Sequence, residues 1–550
     1  MDSMFRERFP KRIPTDVAVV VRDIGSLLLV EAALMAASVL VALLFREFYV
    51  ALGFLLASAV TSLVGYSARR RFGNAPDPLM KHGMVIAAAG WLSVAVFGAL
   101  PFLLSAVLVP PAVRVSFVPA GMASVSSLTY FANPIHALFE SMSGWTGSGL
   151  TMAVHEPTLP RTLQWWRSVI QWVGGVGVIV LSVSILARPG SGSYALYRSE
   201  ARQQKIHPSI VSTVRTIWKV FLSYTAVSIL VFFLALSLSQ YGAGLSLFET
   251  FWQALNHAMT GLATGGFSVT DESIATYNSP LIEVVLLPVM TAGAIAFPVH
   301  YAVLSNRDLG RFRGDIQTRL LFVLLLLGAI GLSTQNLLDL GHADFGRTVA
   351  IPARFGVSVT GVDAVRDAVF QFVSGLTCTG FQTSPIGSWS AGAKLILSGA
   401  MVLGGAAGST VGGIKIIRGY TALRGITWQF GRVFLPTNAV VSTQIGDRRL
   451  NREEMEREFA EAAVVSLLWL LLLGLGTLVV VNTAGPRFGY IDVLFEVASA
   501  QGNVGLSTGI TGPSMSPVAE VMLIFNMWIG RLEIIPILVF LRGLLYGLNP

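Results

Sequence analysis

FQFVSGLTCTGF, residues 370–381, carries the pattern on which the reading of the whole chain turns. It is a moderately apolar stretch too short to cross a bilayer, where a spanning helix needs about 20 residues. It runs into a short tail ending on Gly380 and Phe381. Three other stretches have the same form: FESMSGWTGSGL (139–150), ALNHAMTGLATGGF (254–267) and FEVASAQGNVGL (495–506). Each holds a small pair, Ser143-Gly144, Thr260-Gly261, Ser374-Gly375 or Ser499-Ala500, then four residues, then a Gly followed by Leu or Phe. The closing glycines, Gly149, Gly266, Gly380 and Gly505, lie 117, 114 and 125 residues apart, the mark of an internal repeat.

The flanks of these stretches are spanning segments. Ten are expected: 23–45, 49–66, 83–107, 167–187, 216–238, 280–304, 319–337, 392–414, 460–481 and 518–541. Composition agrees. Hydrophobic residues make up 53% of the 550 and charged residues 12%, about half the charge that keeps a soluble domain wet. Mean hydropathy is +0.67. The net charge of +8 is read as basic cytoplasmic loops, not as a nucleic-acid surface. With the N-terminus inside, the cytoplasmic segments hold 28 Lys and Arg and the outer ones nine, so both termini are expected in the cytoplasm. The first 22 residues are too charged for a typical signal peptide, and the first span is expected to be retained.

The expected fold is therefore an all-α integral membrane protein. Four parallel span–pore-loop–span repeats surround a central pore with pseudo-fourfold symmetry, preceded by two extra N-terminal helices. The units are 1–66 (extension), 67–200, 201–310, 311–430 and 431–550. Each copy enters and leaves on the same side, so the copies are parallel and relate by an axis along the membrane normal. A half-helix descending from outside aims the negative end of its dipole at the membrane centre. Its tail then climbs with carbonyl oxygens that replace an ion's hydration shell. Such neutral, hard oxygens suit an alkali cation, and Gly permits backbone angles closed to other residues.

These residues resemble the Trk/Ktr/HKT superfamily of potassium transporters, most closely the TrkH/TrkG branch. The resemblance rests on the tails ATGGF, TCTGF and GNVGL, on GGAAGSTVGGIKIIR (404–418) and on GRLEI (530–534), in that order. It implies K⁺ uptake across the bacterial inner membrane. It also implies that K⁺ is held by Gly147, Ser148 and Gly149, by Thr264, Gly265 and Gly266, by Cys378, Thr379 and Gly380, and by Asn503, Val504 and Gly505. The first tail departs from the family's Thr-rich form by reading GSG, while Gly149 keeps the position that Na⁺-favouring plant relatives fill with Ser. A homodimer and a cytosolic, nucleotide-binding TrkA-type regulatory subunit are likewise implied.

The run 404–413 is too rich in small residues to hold a straight helix, since each Gly costs about 1 kcal/mol against Ala. Non-helical backbone at that depth is tolerated only where it is buried or lines a cavity. Gly404, Gly405, Gly408, Gly412 and Gly413 are therefore gating candidates, and the resemblance places an intramembrane loop here. Spacing by four in Gly404, Gly408 and Gly412 also fits a helix-packing face. Arg531, a basic residue within a span, either faces the pore or pairs with Glu533.

Glu140, Glu249, Glu496, Asp363 and Asp367, on or near the half-helices, either concentrate cations at the mouth or stabilise helix N-termini. Mid-span acids are expected only at Glu283 and Glu533, which disfavours the alternative of a K⁺ symporter coupled to H⁺ or Na⁺ by alternating access. Basic loops, 415–459 above all, suit a soluble partner or anionic lipid. No ATP-binding or dinucleotide motif and no metal-ligand spacing is present. One cysteine, Cys378, excludes an internal disulfide. No enzyme, cofactor or nucleic-acid partner is expected.

Overall fold

The computed structural model describes residues 15–122, 124–186, 210–340, 359–434, 443–445, 448–532 and 534–548. Glu533, Arg347, Arg354 and the basic residues of 187–209 lie outside these. The described chain is almost wholly helical, with one small antiparallel hairpin, β1 (Thr443–Ile445) and β2 (Arg448–Leu450). Among the described residues six helices are long and apolar enough to cross a membrane, or up to eight if each of two bent pairs counts as one span.

The first two helices, α1 (Thr15–Leu44) and α2 (Phe48–Arg71), form a hairpin. They cross where Gly25 and Gly65 face each other: a Cβ on either would come within 2.8 Å of the other's carbonyl oxygen. Without a hydrophobic drive between helices in lipid, such close backbone approach supplies the packing. Then follow α3 (Met80–Gly98), α4 (Leu100–Leu108), the short α5 (Pro134–Thr146) and α6 (Arg161–Leu186). The second unit holds α7 (Ile210–Ser237), the short α8 (Leu247–Leu262), α9 (Pro280–Ala294) and α10 (Phe297–Asn306). The third holds α11 (Ile316–Leu338), the short α12 (Val359–Leu376), α13 (Ala391–Leu403) and α14 (Ile416–Val433). The last holds α15 (Arg452–Val481), the short α16 (Tyr490–Gly502), α17 (Pro517–Leu532) and α18 (Ile534–Tyr546).

Three expected spans are not straight. Segment 280–304 bends by 104° between α9 and α10, and 518–541 bends by 114° between α17 and α18. The first bend follows from an extended Ala296 ahead of Pro298 in the first turn of α10, where Pro lacks the N–H that would continue the helix. Segment 392–414 stops being helical at Leu403, where Gly404 takes φ +68°. The helix-packing reading of Gly404, Gly408 and Gly412 is thereby corrected: these glycines lie in a loop.

An apolar core is joined by apolar outer faces. Phe322, Val323, Leu326, Leu327 and Ile330 of α11 are exposed, as expected of a face turned to lipid. Most polar residues of the short helices and their tails are buried.

Candidate functional site

All four short helices end in the same way. The residue after the helix, or one further on, takes the left-handed conformation: Gly147 (φ +69°), Thr264 (+51°), Cys378 (+52°) and Asn503 (+53°). Its N–H donates three residues back, to Gly144, Gly261, Gly375 and Ala500, at 3.0–3.2 Å. The next N–H donates five residues back, to Ser143, Thr260, Ser374 and Ser499, at 2.8–2.9 Å. This pair of bonds is the Schellman motif. The small pair that marks the repeat in the sequence thus supplies the carbonyls that close each helix. Three of the four left-handed positions carry Thr, Cys or Asn, a conformation that costs a residue with a Cβ roughly 1–2 kcal/mol.

Two residues further on, the backbone is left-handed again, and here only glycine occurs: Gly149 (+81°), Gly266 (+76°), Gly380 (+77°) and Gly505 (+100°). Their surroundings explain it. A Cβ on Gly149 would overlap the carbonyl oxygen of Gly265, one on Gly266 that of Thr379, one on Gly380 that of Val504, and one on Gly505 that of Ser148. Each closing glycine therefore abuts the middle carbonyl of the next tail, and the fourth tail returns to the first. The twelve residues named from the sequence are brought together in one closed circuit. All are buried except Gly149 and Gly505, which are half-buried.

The tails are tied to their helices at one equivalent position, four residues before the second member of each small pair. Glu140 accepts from Met152 N (2.8 Å) and from Thr151 Oγ1. His257 Nε2 pairs with Ser268 Oγ (2.8 Å), Gln371 accepts from Thr383 N (3.1 Å), and Glu496 accepts from Thr508 N (2.8 Å) and Ser507 Oγ (2.8 Å). The first and second tails are further joined by Arg167 of α6. It donates to Glu140 Oε1 (2.7 Å) and to the carbonyl of Ser268 (2.8 Å), with both members of the ion pair buried. Gln171, a turn further on, donates to the carbonyl of Gly265 (2.6 Å) and accepts from Phe267 N (2.9 Å).

The acidic residues divide: Glu249 sits at a helix N-terminus as one reading has it, and others are tied to the tails. Glu140 and Glu496 are buried behind the tails, and Asp367 accepts from Thr383 Oγ1 at 2.7 Å. Glu249 lies in the first turn of α8 and pairs with Arg161 (2.8 Å), and Asp363 and Glu283 both lie against Arg366. Glu283 belongs to the first turn of α9, so it is not a mid-span acid. Glu31, in the middle of α1, is one, and it was missed because a lone Glu in an otherwise apolar run hardly lowers its hydropathy.

The segment 404–415 folds as a loop against the ends of the short helices. Gly404, Gly408 and Gly413 have positive φ. Gly405 and Gly412 do not, but a Cβ on Gly412 would overlap the carbonyl of Gly502. The loop fills the break between α9 and α10: Ala406 N donates to Ala294 O (3.1 Å), Thr410 N to Gly293 O (3.2 Å), and Phe297 N to Gly408 O (3.0 Å). Thr410 Oγ1 touches Thr264 Oγ1 of the second tail at 2.8 Å. Arg531 is buried, and its guanidinium donates to the carbonyls of Thr410, Gly174 (2.9 Å) and Gly175 (3.2 Å). It also lies beside the first tail, where a Cβ on Gly147 would come within 3.9 Å of its Nη1.

Comparisons with known proteins identify the family. The family model TrkH, described as a cation transport protein, matches residues 82–545. An uncharacterised cation transporter of Methanocaldococcus jannaschii is 32% identical over 498 residues, covering 90% of this chain and 89% of that protein. The Trk system potassium uptake protein TrkH of Salmonella typhimurium is 28% identical, covering 94% and 97%. The crystal structure of the potassium transporter TrkH from Vibrio parahaemolyticus superposes with a TM-score of 0.76 at 24% identity, covering 96% of this chain and 99% of that one, and so shares its fold. A chain matched by the family model over most of its length, with relatives aligned almost end to end, belongs to the TrkH family of cation transport proteins.

Proposed function

We propose that this protein takes up potassium across the plasma membrane through a filter built by the four tails. One observation carries the reading: each tail turns left-handed twice at the same two positions, and each closing glycine abuts a carbonyl of its neighbour in a closed circuit. Such a circuit concentrates neutral oxygens where four helix C-termini converge, and together these favour a bare alkali cation. The relatives named as potassium uptake proteins support K⁺ as the ion.

On this reading the chain is four parallel repeats, 67–200, 201–310, 311–430 and 431–550, about one pore, with 1–66 as an extension. Loop 404–413 is the gate and Arg531 its latch, because a guanidinium held by three carbonyls places a positive charge on the cation's path. The homodimer, the TrkA-type nucleotide-binding subunit and inner-membrane placement with both termini cytoplasmic follow from family membership and the basic loops.

Reconstitution into liposomes tests this. K⁺ and Rb⁺ flux well above Na⁺ flux, without an imposed proton gradient, is the expected result. No K⁺ flux from correctly inserted protein overturns it, and flux that requires the gradient favours coupled symport instead.

A further inference from the structure

Gln171 of α6 is buried, and its amide grips the second tail in both directions. Nε2 donates to the carbonyl of Gly265 (2.6 Å), and Oε1 accepts from Phe267 N (2.9 Å). Between these two residues stands the closing glycine, Gly266. In a trans peptide the C=O and N–H point to opposite sides, and the described chain has no cis peptide bond. With Phe267 N–H turned to α6, the carbonyl of Gly266 is turned away from it. The two bonds thus fix the planes of both peptides that meet at Gly266.

The same place in the other repeats is built differently. Gln171 is the eleventh residue of α6, and the eleventh residues of α9, α13 and α17 are Met290, Met401 and Met527, all buried. The middle residue of the tail differs in step. Ser148, Thr379 and Val504 carry side chains, where the second tail has Gly265. Its φ is not positive, so no backbone angle requires glycine there. The amide does, since a Cβ on Gly265 would lie 2.6 Å from Gln171 Cδ.

The second tail is also without a tie that the others share. Nine residues before the closing glycine, Glu140, Gln371 and Glu496 accept from the N–H three residues after it, those of Met152, Thr383 and Thr508, at 2.8–3.1 Å. His257 holds that place in the second repeat, and it reaches the Ser268 hydroxyl instead. Bonds from α6 stand in for the tie: Arg167 to the carbonyl of Ser268, and Gln171 on both sides of Gly266.

We propose that Gln171 is a positioning residue that sets the ion preference of the pore, by holding the second tail in the shape that presents the Gly266 carbonyl to the ion. The inference deepens the filter reading and rests on it. Discrimination between alkali ions depends on the size of the oxygen cage or on the number and field of its dipoles. Either changes when one carbonyl is free to rotate.

The test is Gln171→Met, which gives α6 the residue of the other three helices and removes both bonds at similar side-chain length. The full-length protein in liposomes is assayed for K⁺, Rb⁺ and Na⁺ flux, with thermal unfolding followed in the same preparations. The K⁺-to-Na⁺ permeability ratio is expected to fall several-fold, and the Rb⁺ concentration at half-maximal flux to rise. Wild-type values of both overturn the assignment and leave the filter reading standing, even if the unfolding temperature drops, because the amide is then structural alone. Absence of K⁺ selectivity in the wild type removes the filter reading and this inference together. Should Gln171→Met fail to insert, Gln171→Asn, whose amide falls one methylene short of the tail, decides the question by the same two values.

Discussion

The guanidinium of Arg531 donates to the backbone carbonyl of Thr410, joining α17 to the loop that follows α13. The same guanidinium holds Gly174 and Gly175 of α6, while Thr410 touches Thr264 of the second tail. A charge sequestered in a membrane is held here by three backbone carbonyls. The loop's position is therefore fixed from two sides.

Arg531→Gln keeps a donor but removes the charge and most of the fork. We expect Rb⁺ flux into proteoliposomes to rise several-fold, as does deletion of residues 406–411. Flux equal to that of the wild type in both variants removes the loop and its latch from gating.

Gly380→Ser places a Cβ onto the carbonyl of Val504 at a backbone angle that side chains rarely adopt. The tail must shift, and an oxygen ring that shifts loses its fit to the larger ion. K⁺ flux should fall at least about tenfold, with a lower K⁺-to-Na⁺ permeability ratio, because misplacement by about 1 Å suffices for such losses. Retention of both values excludes this glycine from the filter.

Glu140→Gln leaves Arg167 buried beside a neutral group. Removing one partner of a buried pair costs about 3–5 kcal/mol, so thermal unfolding should shift down strongly. Glu496→Gln removes a carboxylate bound only by neutral donors, Ser507, Thr508 and Thr511. Its loss should be smaller. Equal shifts in the two variants contradict the ion pair's weight.

Glu156 lies between the first tail and α6, outside the spanning helices. Burial raises its carboxyl to about 8, with Arg167 as the main opposing influence. A folded-state value above the unfolded one means that the folded protein holds the extra proton between the two, so stability falls as pH rises. We expect the unfolding temperature to decline from near pH 5 to near pH 8 and to level off beyond. Glu156→Gln should flatten that slope. A parallel slope in the variant refutes the assignment.

The repeat was legible because it is written locally. Schellman closure needs a residue that tolerates the left-handed turn just past the helix, and the close approach of tails needs glycine two residues further on, so both leave marks in the chain. The loop at 404–413 was legible for the same reason, since helix formation fails where side chains are absent. The bend at Ile295–Ala296 was not, because 280–304 is continuously apolar and proline is tolerated in membrane helices. Nor were the contacts of Glu140 and Glu496, since an exposed carboxylate on a short helix and one tied to its tail have the same local sequence.

The sequence by itself determined that this chain is a membrane protein in which a short stretch with a glycine-ended tail recurs four times, because hydropathy, helix caps and left-handed turns are decided over a few residues. Only the tertiary structure decided that the fourth tail meets the first, that Arg531 holds Thr410, and that Glu31 faces Trp145. Those contacts join residues from 114 to 357 positions apart. They depend on how rigid helices stack, and no local pattern encodes which distant backbone fills the space a glycine leaves open.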